Sequence, residues 1–188
     1  HLSFKKAGFL DADQFSCYLE KIFGNKTIKE LDIELYISAT EIERGKLKIF
    51  HKNTKITQAI LASSAFPGVF SPVVINNKVY SDGGILNNYP VNTIQGRCDF
   101  LIGSNVNPVL MYNQTKFTSI KSVALRAFEI MMRQNTFPQN ELCDWHIQPE
   151  ALANYSTFET SKKRMDEIFE IGYEEAKHNF EKIKDKLP

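Results

Sequence analysis

The chain has 188 residues, 43% of them hydrophobic and 24% charged, with a net charge of +1. That length suits one domain with a substantial core rather than two, and the composition is ordinary for a globular protein. Without a basic excess there is no electrostatic footprint for nucleic acid, so none is expected as a partner.

Residues 11–23, "DADQFSCYLEKIF", predict a helix. Asp11 or Asp13 can cap it, Phe15, Tyr18, Leu19, Ile22 and Phe23 share one face, and Gly24 can end it. "IELYISA" (33–39) reads as a buried strand, and the alternating "KLKIFH" (46–51) as its hairpin partner across a turn at Arg44-Gly45. Thr57 is placed to cap a short helix, "QAILASSA", whose small residues predict a close neighbour, and Pro67 is placed to stop it. "PVVI" and "KVYS" flank Asn76-Asn77, a two-residue hairpin turn.

Further on, "DFLIGSNV" (99–106) reads as a buried strand and "DWHIQPE" as a last one. Residues 118–135 predict an amphipathic helix with Ile120, Val123, Ala124, Ala127, Phe128 and Met131 on one stripe. Residues 161–184 predict a long helix with Met165, Ile168, Phe169, Gly172, Tyr173, Ala176, Phe180 and Ile183 on one face. Helices alternating with buried strands indicate the α/β class.

Cys17, Cys98 and Cys143 are odd in number and far apart, with no Cys-x-x-Cys spacing, so no disulfide framework is expected. His1, His51, His146 and His178 are scattered too, so neither a metal nor another cofactor is expected. No run approaches the roughly 20 apolar residues of a membrane span, and no basic-then-apolar signal opens the chain. A cytoplasmic location is therefore expected, with peripheral membrane contact left open.

One stretch carries chemistry. Ser81-Asp82-Gly83-Gly84 follows a predicted strand, and Asp82 is the sole acidic residue between Ala62 and Val91. Asp-Gly is a common turn pair, so a tight turn accounts for it. A carboxylate at a strand end of an α/β protein also lies where ligand sites form. Two glycines beside it permit close approach of a backbone or ligand, and such a carboxylate can activate a hydroxyl nucleophile.

The order of motifs resembles the second half of a patatin-like phospholipase, the Ser-Asp lipid acyl hydrolase family. "AGFLDADQF", "LYISATEIERGKLKIF", "AILASSAFPGVFSPVVINNKVYSDGGILNNYPV", "CDFLIGSNVNP" and "YSTFETSKKRMDEIFEIGYEEA" match its successive blocks, from about Gly8 to Ala176. The resemblance implies a three-layer α/β/α sandwich and a catalytic Ser-Asp dyad without histidine. Asp82 takes the place of the dyad aspartate, the base or orienter. Gly83 and Gly84 would keep the backbone thin beside it. Asn87, Asn88 and Pro90 would fix the following loop, and Ser63, Ser64 and Pro67 the packed helix end that supports the pocket wall. The substrate implied is a phospholipid or related acyl ester.

The family's nucleophile lies in Gly-x-Ser-x-Gly, a sharp strand-to-helix turn, and its oxyanion hole in a Gly-rich loop nearer the N-terminus. Neither occurs among these 188 residues. Gly103-Ser104-Asn105-Val106-Asn107 lacks the second glycine and follows Asp82 instead of preceding it. The chain also begins at His1 instead of Met. The expectation is the C-terminal part of a single patatin-like domain that lacks its first strands and nucleophile elbow. Such a piece would be inactive alone, would need the missing N-terminal segment as its partner, and would expose a sheet edge and an apolar face. The alternative is a non-catalytic lipid-binding or scaffold protein on a decayed patatin-like fold.

Overall fold

The computed structural model describes residues 12–108, 118–157 and 159–187. The chain divides after Asn88 into two units, His1–Asn88 and Tyr89–Pro188, each with its own sheet.

The first unit contains helix α1 (Ala12–Phe23), strands β1 (Ile37–Glu41) and β2 (Lys46–Phe50), helix α2 (Ile56–Ser63), strands β3 (Val73–Ile75) and β4 (Lys78–Asp82) and the single turn of helix α3 (Gly84–Asn87). The four strands form an antiparallel sheet in the order β2-β1-β4-β3. Asn76 and Asn77 both take left-handed backbone, φ 50° and 61°. Two successive positive φ angles give the turn whose twist matches the flanking strands, and they fix Ile75 opposite Lys78. α2 packs against β1, β4 and β3. Ala59 and Ala62 on the helix and Ala39 on β1 are fully buried, so small side chains bring helix and sheet close. Ile28, Phe50, Ile56, Ile75 and Tyr80 complete that core.

The larger departures from the sequence expectations in this unit lie in β1 and α2. β1 starts at Ile37 instead of residue 33, and Ile33 is exposed. Its hairpin partner β2 ends at Phe50, opposite Ile37, so the residues before Ile37 have no strand to pair with in that ladder. α2 starts one residue before Thr57, with Lys55 at its N-cap. The Ile56 N–H donates to the Lys26 carbonyl, and the Thr57 hydroxyl donates to the Gly24 carbonyl, so backbone pairing beside Thr27–Lys55 takes the place of a threonine cap. α2 also ends at Ser63, well before Pro67, with Ser64 as its C-cap. Asp13 lies inside the first turn of α1 and is not its cap, while Asp11 falls outside the described residues.

The second unit contains β5 (Ile102–Ser104), α4 (Ile120–Thr136), β6 (Trp145–Ile147) and α5 (Lys162–Ile183). β5 and β6 pair in parallel, with Ile102 opposite Trp145 and Ser104 opposite Ile147. Both are shorter than the runs 99–106 and 144–150. Tyr89, Val91 and Leu101 form the core, with Ile94, Leu142 and Cys143 against it. Both long helices form where their periodicity places them. Their apolar stripes are largely open: Ile120, Val123 and Met131 on α4 are exposed, and α5 has no buried residue at all. The mixed α/β class is the one the motifs imply.

Candidate active site

Asp82 is the last residue of β4 and lies opposite Ala39 on β1. Three segments fix its backbone. Its N–H donates to the Ala65 carbonyl (3.0 Å), just past the end of α2. Its own carbonyl accepts the Thr40 hydroxyl of β1 (2.9 Å). The preceding Ser81 hydroxyl donates to the same Ala65 oxygen (2.6 Å). Thr40, Ala65 and Ser81 are all buried, so none of these bonds faces strong competition from water. The peptide plane that carries the carboxylate is therefore held firmly.

The carboxylate itself is half-buried and asymmetric. Oδ1 accepts the Gly84 N–H at 2.7 Å. Oδ2 has no hydrogen-bond partner among the described residues. Burial raises the Asp82 pKa above the ordinary carboxylate range, and the Gly84 N–H opposes that rise by holding the anion. The result is a carboxylate with one oxygen anchored and the other open, made more basic by its surroundings.

The two glycines act in different ways. A Cβ on Gly83 would sit 2.5 Å from Ser38 Oγ and 2.6 Å from the Ser38 carbonyl oxygen. β1 thus runs too close for any side chain there, although Gly83 has an ordinary φ of −64°. Gly84 is buried and supplies the amide that anchors Asp82. Asn87 is buried too, and its N–H closes the α3 turn on the Gly83 carbonyl (2.9 Å). Asn88 caps that turn. Pro90, in the second unit, precedes the short turn Val91–Thr93, whose Thr93 N–H donates to its carbonyl. Ser63 ends α2 and Ser64 caps it, while Pro67 sits exposed in the loop that follows.

Sequence reasoning did not single out Thr40, Ala65 or Ser81 as supports of Asp82, although all three lie in the quoted motif blocks. It also missed a cluster in the second unit. Tyr89 Oη lies 2.7 Å from His146 Nδ1 and 3.5 Å from Cys143 Sγ, and a Cβ on Gly103 would collide with the Tyr89 hydroxyl. No spacing rule brings residues 89, 103, 143 and 146 together. Burial pushes the Tyr89 phenol well up and the His146 imidazole down. Among the described residues no group of three His, Cys, Asp or Glu side chains could hold a metal ion.

The sequence model of the patatin-like phospholipase family matches residues 1–94, half of the chain. The chain belongs to the patatin-like phospholipase family. It is 32% identical over 106 residues to an uncharacterized NTE family protein of Mycobacterium tuberculosis, which covers 56% of this chain and 29% of that protein. It is 23% identical over 217 residues to lysophospholipase nte1 of Aspergillus terreus, covering 97% of this chain and 13% of that protein. A third relative, lysophospholipase NTE1 of Meyerozyma guilliermondii, is 23% identical over 220 residues, covering all of this chain and 15% of that protein. The chain thus spans less than a third of the length of these relatives. No helix among the described residues is long and apolar enough to cross a membrane.

Proposed function

We propose that this chain is the aspartate-bearing part of a lipid acyl hydrolase that cleaves acyl esters of phospholipids or lysophospholipids through a Ser-Asp dyad. The observation that carries the reading is the carboxylate of Asp82, anchored through Oδ1 by the Gly84 N–H and without a hydrogen-bond partner at Oδ2 among the described residues. Family membership and the two relatives named lysophospholipases support the substrate class. The nucleophilic serine and the oxyanion donors come from a segment of the same protein outside these 188 residues.

The chemistry follows from the free oxygen. Asp82 Oδ2 accepts the proton of the serine hydroxyl as that oxygen attacks the ester carbonyl carbon. The tetrahedral intermediate collapses, the C–O bond to the alcohol breaks, and the protonated Asp82 returns its proton to the leaving oxygen. Water, deprotonated by the same carboxylate, then attacks the acyl-serine; the acyl C–O bond to serine breaks, Asp82 returns the proton to the serine oxygen, and the fatty acid leaves. A raised pKa suits a group that must take and return a proton.

The test is turnover of a phospholipid by the full-length protein and its Asp82→Asn variant. Asparagine keeps an acceptor for the Gly84 N–H and removes the base. A fall in kcat of about 10²–10⁴-fold is expected, with both proteins folded. Equal rates would remove Asp82 from the mechanism. No activity in either protein would favour a lipid-binding role.

A further inference from the structure

Helix α5 spans 22 residues and buries none of them. Ile168, Gly172, Glu175 and Asn179 are half-covered and lie along one line of the helix, the side that packs on β6 and residues 150–154. About a quarter turn round the axis runs a second line: Met165, Phe169, Tyr173 and Phe180, exposed by 51, 66, 53 and 42%. The Phe169 and Tyr173 rings stack at 6.2 Å with an interplanar angle of 12°. The Phe180 ring lies 6.3 Å from the Trp145 ring on β6. A continuous exposed line of this kind marks an interaction surface rather than scattered surface residues.

The charges beside the line say what fits it. Lys163, Asp166, Glu170, Lys177 and Glu181 follow one another along its flank. Two copies of α5 laid parallel about a twofold axis would put this flank on opposite sides of the seam, where its charges do not meet. Laid antiparallel about a twofold axis near Phe169 and Tyr173, they set Asp166 against Lys177 and Lys163 against Glu181, and each pair occurs twice by symmetry. In the same register Met165 falls within about 2–3 Å, along the axis, of the other copy's Phe180, and Phe169 of its Tyr173, at about 1.5 Å rise per residue. Glu170 approaches its own copy near the axis, the like-charge contact of that register. Asp166 has no ion-pair partner among the described residues; Lys177 pairs with the exposed Glu174 (3.5 Å) and rests over Tyr173 (5.7 Å) at the rim of the line, and Glu181 pairs with the exposed Lys184 (2.6 Å), so a second copy would share these solvated charges. Asp166, Glu170 and Glu181 along the flank disfavour an anionic lipid surface as the occupant.

We propose that α5 is a self-association surface on which a second copy of this chain docks antiparallel along Met165, Phe169, Tyr173 and Phe180. This inference is independent of the hydrolase reading, since it uses no residue of the Asp82 site.

Sedimentation velocity of the 188-residue chain over a range of concentrations tests it. The expected result is a monomer–dimer equilibrium that Phe169→Glu abolishes. Asp166→Lys and Lys177→Glu, both at exposed positions, should each weaken the dimer about tenfold at low salt. An equimolar mixture of those two variants should recover a dimer with one copy of each, and Glu170→Gln should tighten the wild-type dimer. A chain that stays monomeric throughout overturns the proposal. So does a dimer indifferent to Phe169→Glu, or a mixture of the two charge variants that fails to associate. Flotation of a monomeric chain with phosphatidylcholine vesicles, lost in Phe169→Glu, would assign the line to lipid and likewise overturn it.

Discussion

The carbonyl oxygen of Ala65 holds the N–H of Asp82 at 3.0 Å, and takes the hydroxyl of Ser81 at 2.6 Å on the same atom. The end of α2 is thereby stapled to the end of β4. This explains why the Ala-Ser-Ser-Ala segment and the Ser-Asp-Gly-Gly segment belong together: one supplies a buried acceptor, the other the strand end that needs fixing. The staple gives Asp82 a rigid base without using its carboxylate.

Ser81→Ala tests the staple. It removes one of two donors to Ala65, and the oxygen keeps the Asp82 N–H. The expected loss is therefore that of a single buried hydrogen bond, about 1 kcal/mol, read as a lower urea midpoint with an unchanged m-value. A neutral result would show that the Ser81 hydroxyl contributes nothing to the staple.

Gly83→Ala should cost more. The added methyl would meet the Ser38 carbonyl oxygen at 2.6 Å, and that oxygen belongs to the β1 backbone and cannot swing aside. Overpacking of this kind costs about 1–3 kcal/mol. Because φ is −64°, none of the penalty comes from backbone conformation. An alanine variant as stable as the parent would mean that β1 and β4 separate easily at this point.

His146 gives a pH dependence with a definite sign. Burial lowers its pKa, with Gln148 opposing from nearby, and His146 Nε2 has no hydrogen-bond partner among the described residues. A histidine depressed in the folded state adds stability that is complete above the unfolded value of about 6.5. That stability is lost as pH falls through the lower folded value. The groups in contact with the ring are the Tyr89 phenol, which stays neutral throughout this range, and the Cys143 thiol beyond it. Denaturant midpoints should fall between pH 7 and pH 5, and His146→Gln should flatten that slope. An unchanged slope in the variant would place the titrating group elsewhere.

Legibility from sequence followed the range of the interactions. The Asn76-Asn77 hairpin was readable because two adjacent residues determine the turn. The long helices were readable because their period is local. The start of α2 was not, since the Lys26 carbonyl and the Thr27–Lys55 pairing set it from nearly thirty residues away. Asp82 stood out only through its motif, because a bare Asp-Gly reads equally well as a turn. Its support by Ala65 and Thr40 depends on tertiary contacts that no short pattern encodes. The Tyr89–His146 pair, 57 residues apart, is the extreme case.

Asp82→Asn should move stability and activity in opposite directions. An aspartate that served only to close a turn would be stabilised as an anion, with a lowered pKa, and its replacement would weaken the fold. Here burial outweighs the Gly84 hydrogen bond and the pKa is raised. The folded state therefore binds the proton more tightly than the unfolded state does. Stability falls as pH rises from the unfolded value, about 3.9, through the raised folded value, and the penalty is complete above it. Asparagine carries no such penalty and still accepts the Gly84 N–H. At pH 7 the variant should melt at a higher temperature than the parent, and the difference should shrink as pH falls toward the unfolded carboxylate value. In the full-length protein the same substitution should cost about 10²–10⁴-fold in kcat. Thermal melts of both chains across pH 3–7, set beside turnover of the full-length pair, separate the two roles. A variant less stable than the parent at pH 7 would show that the anion of Asp82 stabilises the turn, and near-equal turnover alongside it would leave Asp82 a turn residue.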